Sequence, residues 1–123
     1  MRRISLIGLL AGLMLCLIAA PAAAKGGFAA HAGDGGATIT STSGVYFTIT
    51  GGGNRTHLSV EVNCADSSNT VIYGTVINVV LDADGNGTSQ TIYPPVSNCT
   101  ALEEKPMQIG RPHILATITF TVA

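Results

Sequence analysis

Residues 57–64 read HLSVEVNC, and their alternation decides the fold class. Leu58, Val60, Val62 and Cys64 fall on one side of an extended chain, with Ser59, Glu61 and Asn63 on the other. A period of two marks a strand with one face buried and one face wet. The same period recurs on both sides of this stretch. Val45, Phe47 and Ile49 oppose Tyr46, Thr48 and Thr50, while Ile114, Ala116, Ile118, Phe120 and Val122 oppose Leu115, Thr117, Thr119 and Thr121. From residue 37 onward the chain is rich in Thr, Val and Ile, whose branched Cβ atoms suit strands better than helices.

Three further segments extend the pattern. Residues 70–81 (TVIYGTVINVVL) are apolar on both faces and predict a central strand, with Gly74 as a bulge or bend. Residues 88–93 predict a shorter partner, and residues 37–42 a weaker first strand. Glycine, Asn, Asp and Pro clusters at residues 51–54, 66–69, 82–87 and 94–95 punctuate the chain between them. Residues 100–108 (TALEEKPMQ) alone have helical composition, and Pro106 limits them to a turn or two. The expected architecture is all-β: a small antiparallel β-sandwich of six to seven strands, immunoglobulin-like in shape, over residues 37–123.

The start of the chain has a different character. Arg2 and Arg3 precede an apolar run over residues 4–20, Pro21 ends it, and Ala22, Ala23 and Ala24 offer small residues for cleavage. Residues 1–24 therefore predict a secretory signal peptide, with no membrane attachment once it is removed. Residues 25–36 (KGGFAAHAGDGG) contain five glycines and predict a flexible Gly/Ala-rich tail. Cys16 leaves with the signal, so Cys64 and Cys99 remain as an even pair in an oxidising compartment and predict one disulfide. Because Cys64 lies on the apolar face of its strand, the bridge is expected between the two sheets. Closing a loop of about 36 residues contributes roughly 3–4 kcal/mol by chain entropy.

Charge and size exclude some functions. Residues 25–123 hold four basic residues against seven acidic ones, a net charge of −3 with His neutral. Nucleic-acid binding needs a basic face, so no nucleic-acid partner is expected. A chain of this length is too short for a large cofactor enzyme, and no cofactor is implied. Sequence signatures of nucleophilic, zinc-protease, phosphate-loop and dinucleotide chemistry are absent. Glu103 and Glu104 are adjacent and predict a solvated turn, not an acid–base pair. The expectation is a protein that is not an enzyme.

One motif carries possible chemistry. Residues 82–87 (DADGNG) resemble the first half of an EF-hand or dockerin calcium loop, which implies Asp82, Asp84 and Asn86 as side-chain ligands. The bidentate Glu at position 12 of such loops is replaced by Tyr93. The same residues also suit a hairpin turn that needs no metal, since Asp-Gly and Asn-Gly accept positive φ. His57 and His113 each open a strand and could share a zinc or copper ion if those strands were neighbours.

The spacing of Cys64 and Cys99 and the alternating end (ILATITFTV) are similar to fimbrial subunits assembled by donor-strand exchange, which would imply a structural or assembly subunit. The chain departs from that pattern in its short stretch before His113 and in lacking a Tyr near its end. The leading expectation is thus an exported, periplasmic or extracellular, non-catalytic binding module for a protein or glycan partner. An assembly subunit and a weak calcium-binding module are the alternatives.

Overall fold

The computed structural model describes residues 27–105 and 113–123. The expected signal peptide, and the end of the expected helical turn at Pro106, lie outside the described residues. Seven strands follow in chain order: β1 (Gly27–Ala32), β2 (Val45–Thr50), β3 (His57–Ala65), β4 (Val71–Val80), β5 (Gly87–Thr88), β6 (Ser97–Glu104) and β7 (Ile114–Val122). They form two antiparallel sheets, one of order β1-β2-β5 and one of order β4-β3-β6-β7. The fold is the expected all-β sandwich, held by one disulfide between Cys64 and Cys99.

The alternation sorts the side chains as physics requires. Phe28, Val45, Phe47 and Ile49 from the smaller sheet meet Leu58, Val60, Val62, Val79, Ala101, Ile118 and Val122 from the larger one in a single core. Phe47 joins the two layers, with its ring 6.0 Å from Phe28 and edge-on to Phe120 at 5.7 Å. Aromatic pairs in this range add to the area term that dominates core stability.

Several expectations are corrected. The tail expected over residues 25–36 contains β1, paired along its whole length with β2, so the sandwich begins at Gly27 among the described residues and not at residue 37. Phe28 is fully buried and anchors the strand, with Ala30 and Ala32 following at period two. The strand expected at residues 37–42 is a turn. Thr40 and Ser43 bond to each other's backbone N–H at 3.0 Å each way, an alternative to pairing with a neighbouring strand.

Thr70 to Leu81 is not central. β4 is an edge strand, and its second apolar face is exposed. Gly74 pairs in register with Asn63; the bulge lies between Cys64 and Ala65, opposite Tyr73 and Val71. The partner expected at residues 88–93 shrinks to Gly87–Thr88, because the buried Ser89 interrupts the ladder. Its hydroxyl accepts the Phe47 N–H at 2.8 Å in place of its carbonyl, while its own N–H still donates to the Phe47 carbonyl at 2.8 Å; the next bridge is Ile92–Val45. Residues 100–104, expected as helical, continue β6, and Glu103 and Glu104 are buried instead of solvated.

The disulfide is also placed differently. Cys64 and Cys99 lie directly opposite each other on β3 and β6, so the bridge staples neighbouring strands within one sheet. Burial of Cys64 is right; what lies across from it is another strand of its own layer.

Candidate functional site

The loop at residues 82–87 is built on one carboxylate. Asp82 Oδ1 accepts the backbone N–H of Asp84 at 2.9 Å and of Asn86 at 3.0 Å. The Asp82 N–H donates to the Asn86 carbonyl at 2.8 Å, and the Gly85 N–H to the Asp82 carbonyl at 3.0 Å. Gly85 takes the left-handed conformation this closure needs, with φ at +82°. The turn expected there is real, but the hairpin is not. The loop leaves β4 in one sheet and enters β5 in the other, so it is a corner of the sandwich.

The calcium-type residues therefore sit together, and two of their five side-chain oxygens, Asp82 Oδ1 and Asn86 Oδ1, are already taken by backbone amides. Asn86 Oδ1 accepts the Gly51 N–H at 3.2 Å, and the Gly52 N–H donates to the Gly85 carbonyl at 2.8 Å, tying the corner to the loop after β2. Asp84 is exposed and takes no side-chain role in this network. A shallow cavity of about 290 Å³ lies beside it, lined in part by Arg55, Leu81 and Asp82. The Arg55 guanidinium donates to the Gly52 carbonyl at 2.9 Å within the loop after β2.

A second loop repeats the scheme. Asp66 Oδ1 accepts the N–H of Ser68 at 2.9 Å and of Thr70 at 3.1 Å, and also the Ser68 hydroxyl at 2.7 Å. The Asp66 N–H donates to the Thr70 carbonyl, the Asn69 N–H to the Asp66 carbonyl, and Asn69 holds φ at +66°. The Ser68 hydroxyl first, then the Thr70 and Ser68 amides, hold the Asp66 carboxyl below its usual range. This loop has no calcium-type sequence, so the shared hydrogen-bond pattern is that of a self-closing Asp turn.

At the far end of β6 the carboxylates have the opposite surroundings. Burial pushes the Glu104 carboxyl up, and the neighbouring Glu61 carboxyl, by hydrogen bond and by charge, pushes it further. Glu104 Oε2 is buried with no hydrogen-bond partner among the described residues. Asn63 donates to Glu61 Oε2 at 3.2 Å. Burial also raises Glu103, against the lowering influence of Arg55.

The histidines do not converge. β6 lies between β3 and β7, so His57 and His113 are two strand spacings apart, about 10 Å. His31 stacks on Tyr46 at 5.1 Å and shares a 2.8 Å hydrogen bond with Thr48 on the outer face of the smaller sheet. Among the described residues no three His, Cys, Asp or Glu side chains gather as a metal site would require.

One surface feature was hidden in the sequence. Val71, Ile72, Val76 and Val80 are exposed on β4, between 44% and 75%. Their apolar character suggests a buried strand, and only the strand order shows that no neighbouring strand among the described residues covers them. By contrast β7, the other edge of the same sheet, turns Thr117, Thr119 and Thr121 to the outside. Searches of family profiles, curated proteins and solved structures find nothing that matches the chain.

Proposed function

We propose that this chain is an exported, non-catalytic binding module that engages its partner through the β4 side of the four-stranded sheet. The observation that carries this reading is the exposed apolar row Val71, Ile72, Val76 and Val80 on an uncharged edge strand. Gly74 and Asn78 lie between these side chains on the same face, so the strand presents spaced apolar positions along its open backbone edge. An open edge adds a row of backbone donors and acceptors that another strand can use. The Cys64–Cys99 staple suits an oxidising, extracytoplasmic setting, periplasmic or extracellular.

The working surface in this reading is rigid. β4 is paired to β3 from His57–Val80 through to Ala65–Val71, and β3 is in turn stapled to β6. A partner strand would meet a preformed template and lose mainly its own freedom on binding. No step of chemistry is assigned to the surface, to which β4 contributes Val, Ile, Tyr, Thr, Gly and Asn, with Glu61 and His57 of β3 opposite Val76 and Val80.

A photo-crosslinking residue tests the reading in the producing cell. Placed at Val76 of the exported chain it should give a defined adduct, whereas the same group at Thr119 on β7 should give none. Equal labelling from both positions, or none from either, would overturn it.

A further inference from the structure

The partner chemistry can be taken further from the geometry of β4 itself, resting on the reading of that edge as the binding surface. We propose that the edge is self-complementary and pairs antiparallel with β4 of a second copy of this chain, about a two-fold axis through Val76.

Cys64 and Cys99 are opposite with Cα atoms 4.0 Å apart, the spacing of a narrow, non-hydrogen-bonded pair. Cys64 therefore points its N–H and C=O the other way, toward Tyr73 on β4. Hydrogen-bonded pairs alternate along an antiparallel ladder. It follows that Tyr73, Thr75, Ile77 and Val79 turn their backbone groups to β3, and Gly74, Val76, Asn78 and Val80 turn theirs to the open side.

Two contacts at the end of the strand agree with this parity. The Leu81 N–H donates to the Thr56 carbonyl on the β3 side, at 2.9 Å. On the open side the Val80 carbonyl is met by Gly87, where any Cβ would collide with it. The corner thus covers the edge at Val80, and the bulge opposite Tyr73 and Val71 distorts it at the other end. Between them, among the described residues, no backbone hydrogen bond outside β3 reaches Gly74, Val76 or Asn78.

Those three open positions are symmetric about Val76. A two-fold there sets Val76 against the second copy's Val76, and Gly74 against Asn78 in both directions. The three pairs would form about six hydrogen bonds, two for each pair. Val76 is 62% exposed, and on the axis it meets its own counterpart. Beyond Gly74 and Asn78 the pairing stops, because the corner covers the edge at Val80 and the bulge falls at Ile72. Glycine at 74 leaves room beside the Asn78 amide.

Charge permits the arrangement. β4 (VIYGTVINVV) has no Lys, Arg, Asp, Glu or Pro, the residues by which natural edges discourage such pairing. Like charges therefore never face each other across the axis, as they would if either of the strand's middle positions were ionised. An isologous contact of this kind is closed, so it uses the β4 edge of both copies and stops at two chains. A donor-strand fibre, the alternative the chain's end suggests, needs a contact that continues.

Sedimentation of the purified, oxidised exported protein tests this. The mass should double with rising concentration, with a midpoint at roughly micromolar protein, the weak end expected of a small contact. Val76→Lys places two like charges on the axis and should weaken association at least about tenfold; Val76→Glu should do the same. Mixing the two variants should restore dimers that contain one of each. Val76 is exposed and lies opposite Glu61 on β3, so as monomers Val76→Lys should melt at or slightly above the parent and Val76→Glu slightly below it, while both lose the dimer. A parent protein monomeric at every concentration, or variants that fail to complement each other, would overturn the inference. The Val76 crosslink separates it from the broader reading: an adduct with a different protein leaves the binding surface standing and refutes self-pairing, while no adduct refutes both.

Discussion

The loops at Asp66 and Asp82 close in the same way and do different work. In each, an Asp carboxylate accepts the amides two and four residues on, and the residue three positions on takes positive φ. The first joins β3 to β4 as a hairpin inside one sheet; the second carries the chain from β4 to β5 in the other sheet. What differs is the company of the third residue. Asn69 faces solvent, whereas Gly85 is pressed on the loop after β2, and a Cβ there would lie 2.6 Å from the Gly53 nitrogen and 2.7 Å from the Gly52 nitrogen. The carboxylate closes a turn; its packing decides whether the turn also fixes the sandwich.

Breaking that packing should have the largest effect. Gly85→Ala adds left-handed strain of about 1–2 kcal/mol and forces the corner off the Gly52–Gly53 backbone, for a total of about 3 kcal/mol or more. In a domain this size the midpoint of thermal unfolding should fall by at least about 10 °C. Asn69→Ala tests the same conformation without the collision, and should cost about 1 kcal/mol. Asn69→Gly should stay within about 0.5 kcal/mol of the parent. If the two alanine variants melt alike, the corner is no more constrained than the hairpin.

Protonation sharpens the contrast between carboxylates met by donors and carboxylates that are not. Asp66 is lowered by its donors, so its stabilising contribution is present above the unfolded pKa near about 3.9 and is lost as pH falls through the lower folded value. Asp66→Asn should therefore be the less stable protein at about pH 6, with the gap narrowing below about pH 4. Glu104 is raised, so its contribution is full below the unfolded pKa near about 4.3 and fades as pH climbs through the folded value. Glu104→Gln should match the parent at about pH 4 and melt higher at about pH 7. Melting curves over this range check both; two differences of the same sign with pH would contradict the burial argument at Glu104.

Most of the strands were legible because period two survives any neighbour. Val45 to Thr50, His57 to Cys64 and Ile114 to Val122 each carry enough large side chains to declare a face. β1 was not, since its inward residues are one Phe and two Ala set among glycines, and small side chains make a weak signal. Position within the sheet was not legible either. A strand apolar on both faces fits the middle of a sheet, and nothing local in residues 71–80 says that one face is left open. The disulfide pairing was readable by counting, but its partner strand depended on a strand order that Cys64 and Cys99 do not encode. In the same way Asp82, Asp84 and Asn86 read as ligands or as a turn until the amides they serve are known.

Calcium should produce the smallest effect, and its absence would set the two loops on equal terms. A calcium ion takes six to eight oxygens. At the corner, Asp82 Oδ1 already serves two amides and Asn86 Oδ1 serves Gly51. The chain cannot wrap back to add the missing ligand. After Gly87 it enters the smaller sheet, Ile92 is bridged to Val45, and Tyr93 at position 12 is a phenol turned to solvent. The Asp66 loop closes by the same bonds on a sequence with no calcium likeness, so closure itself asks for no metal. Micromolar calcium should thus leave the unfolding midpoint where EDTA leaves it, in the parent and in Asp84→Ala alike. A bound ion at 100 times its dissociation constant would add about 2.7 kcal/mol, a shift of roughly 10 °C or more in a domain of this size. A rise of that order in the parent that Asp84→Ala abolishes would make the corner a calcium site, and the likeness between the two loops one of backbone alone.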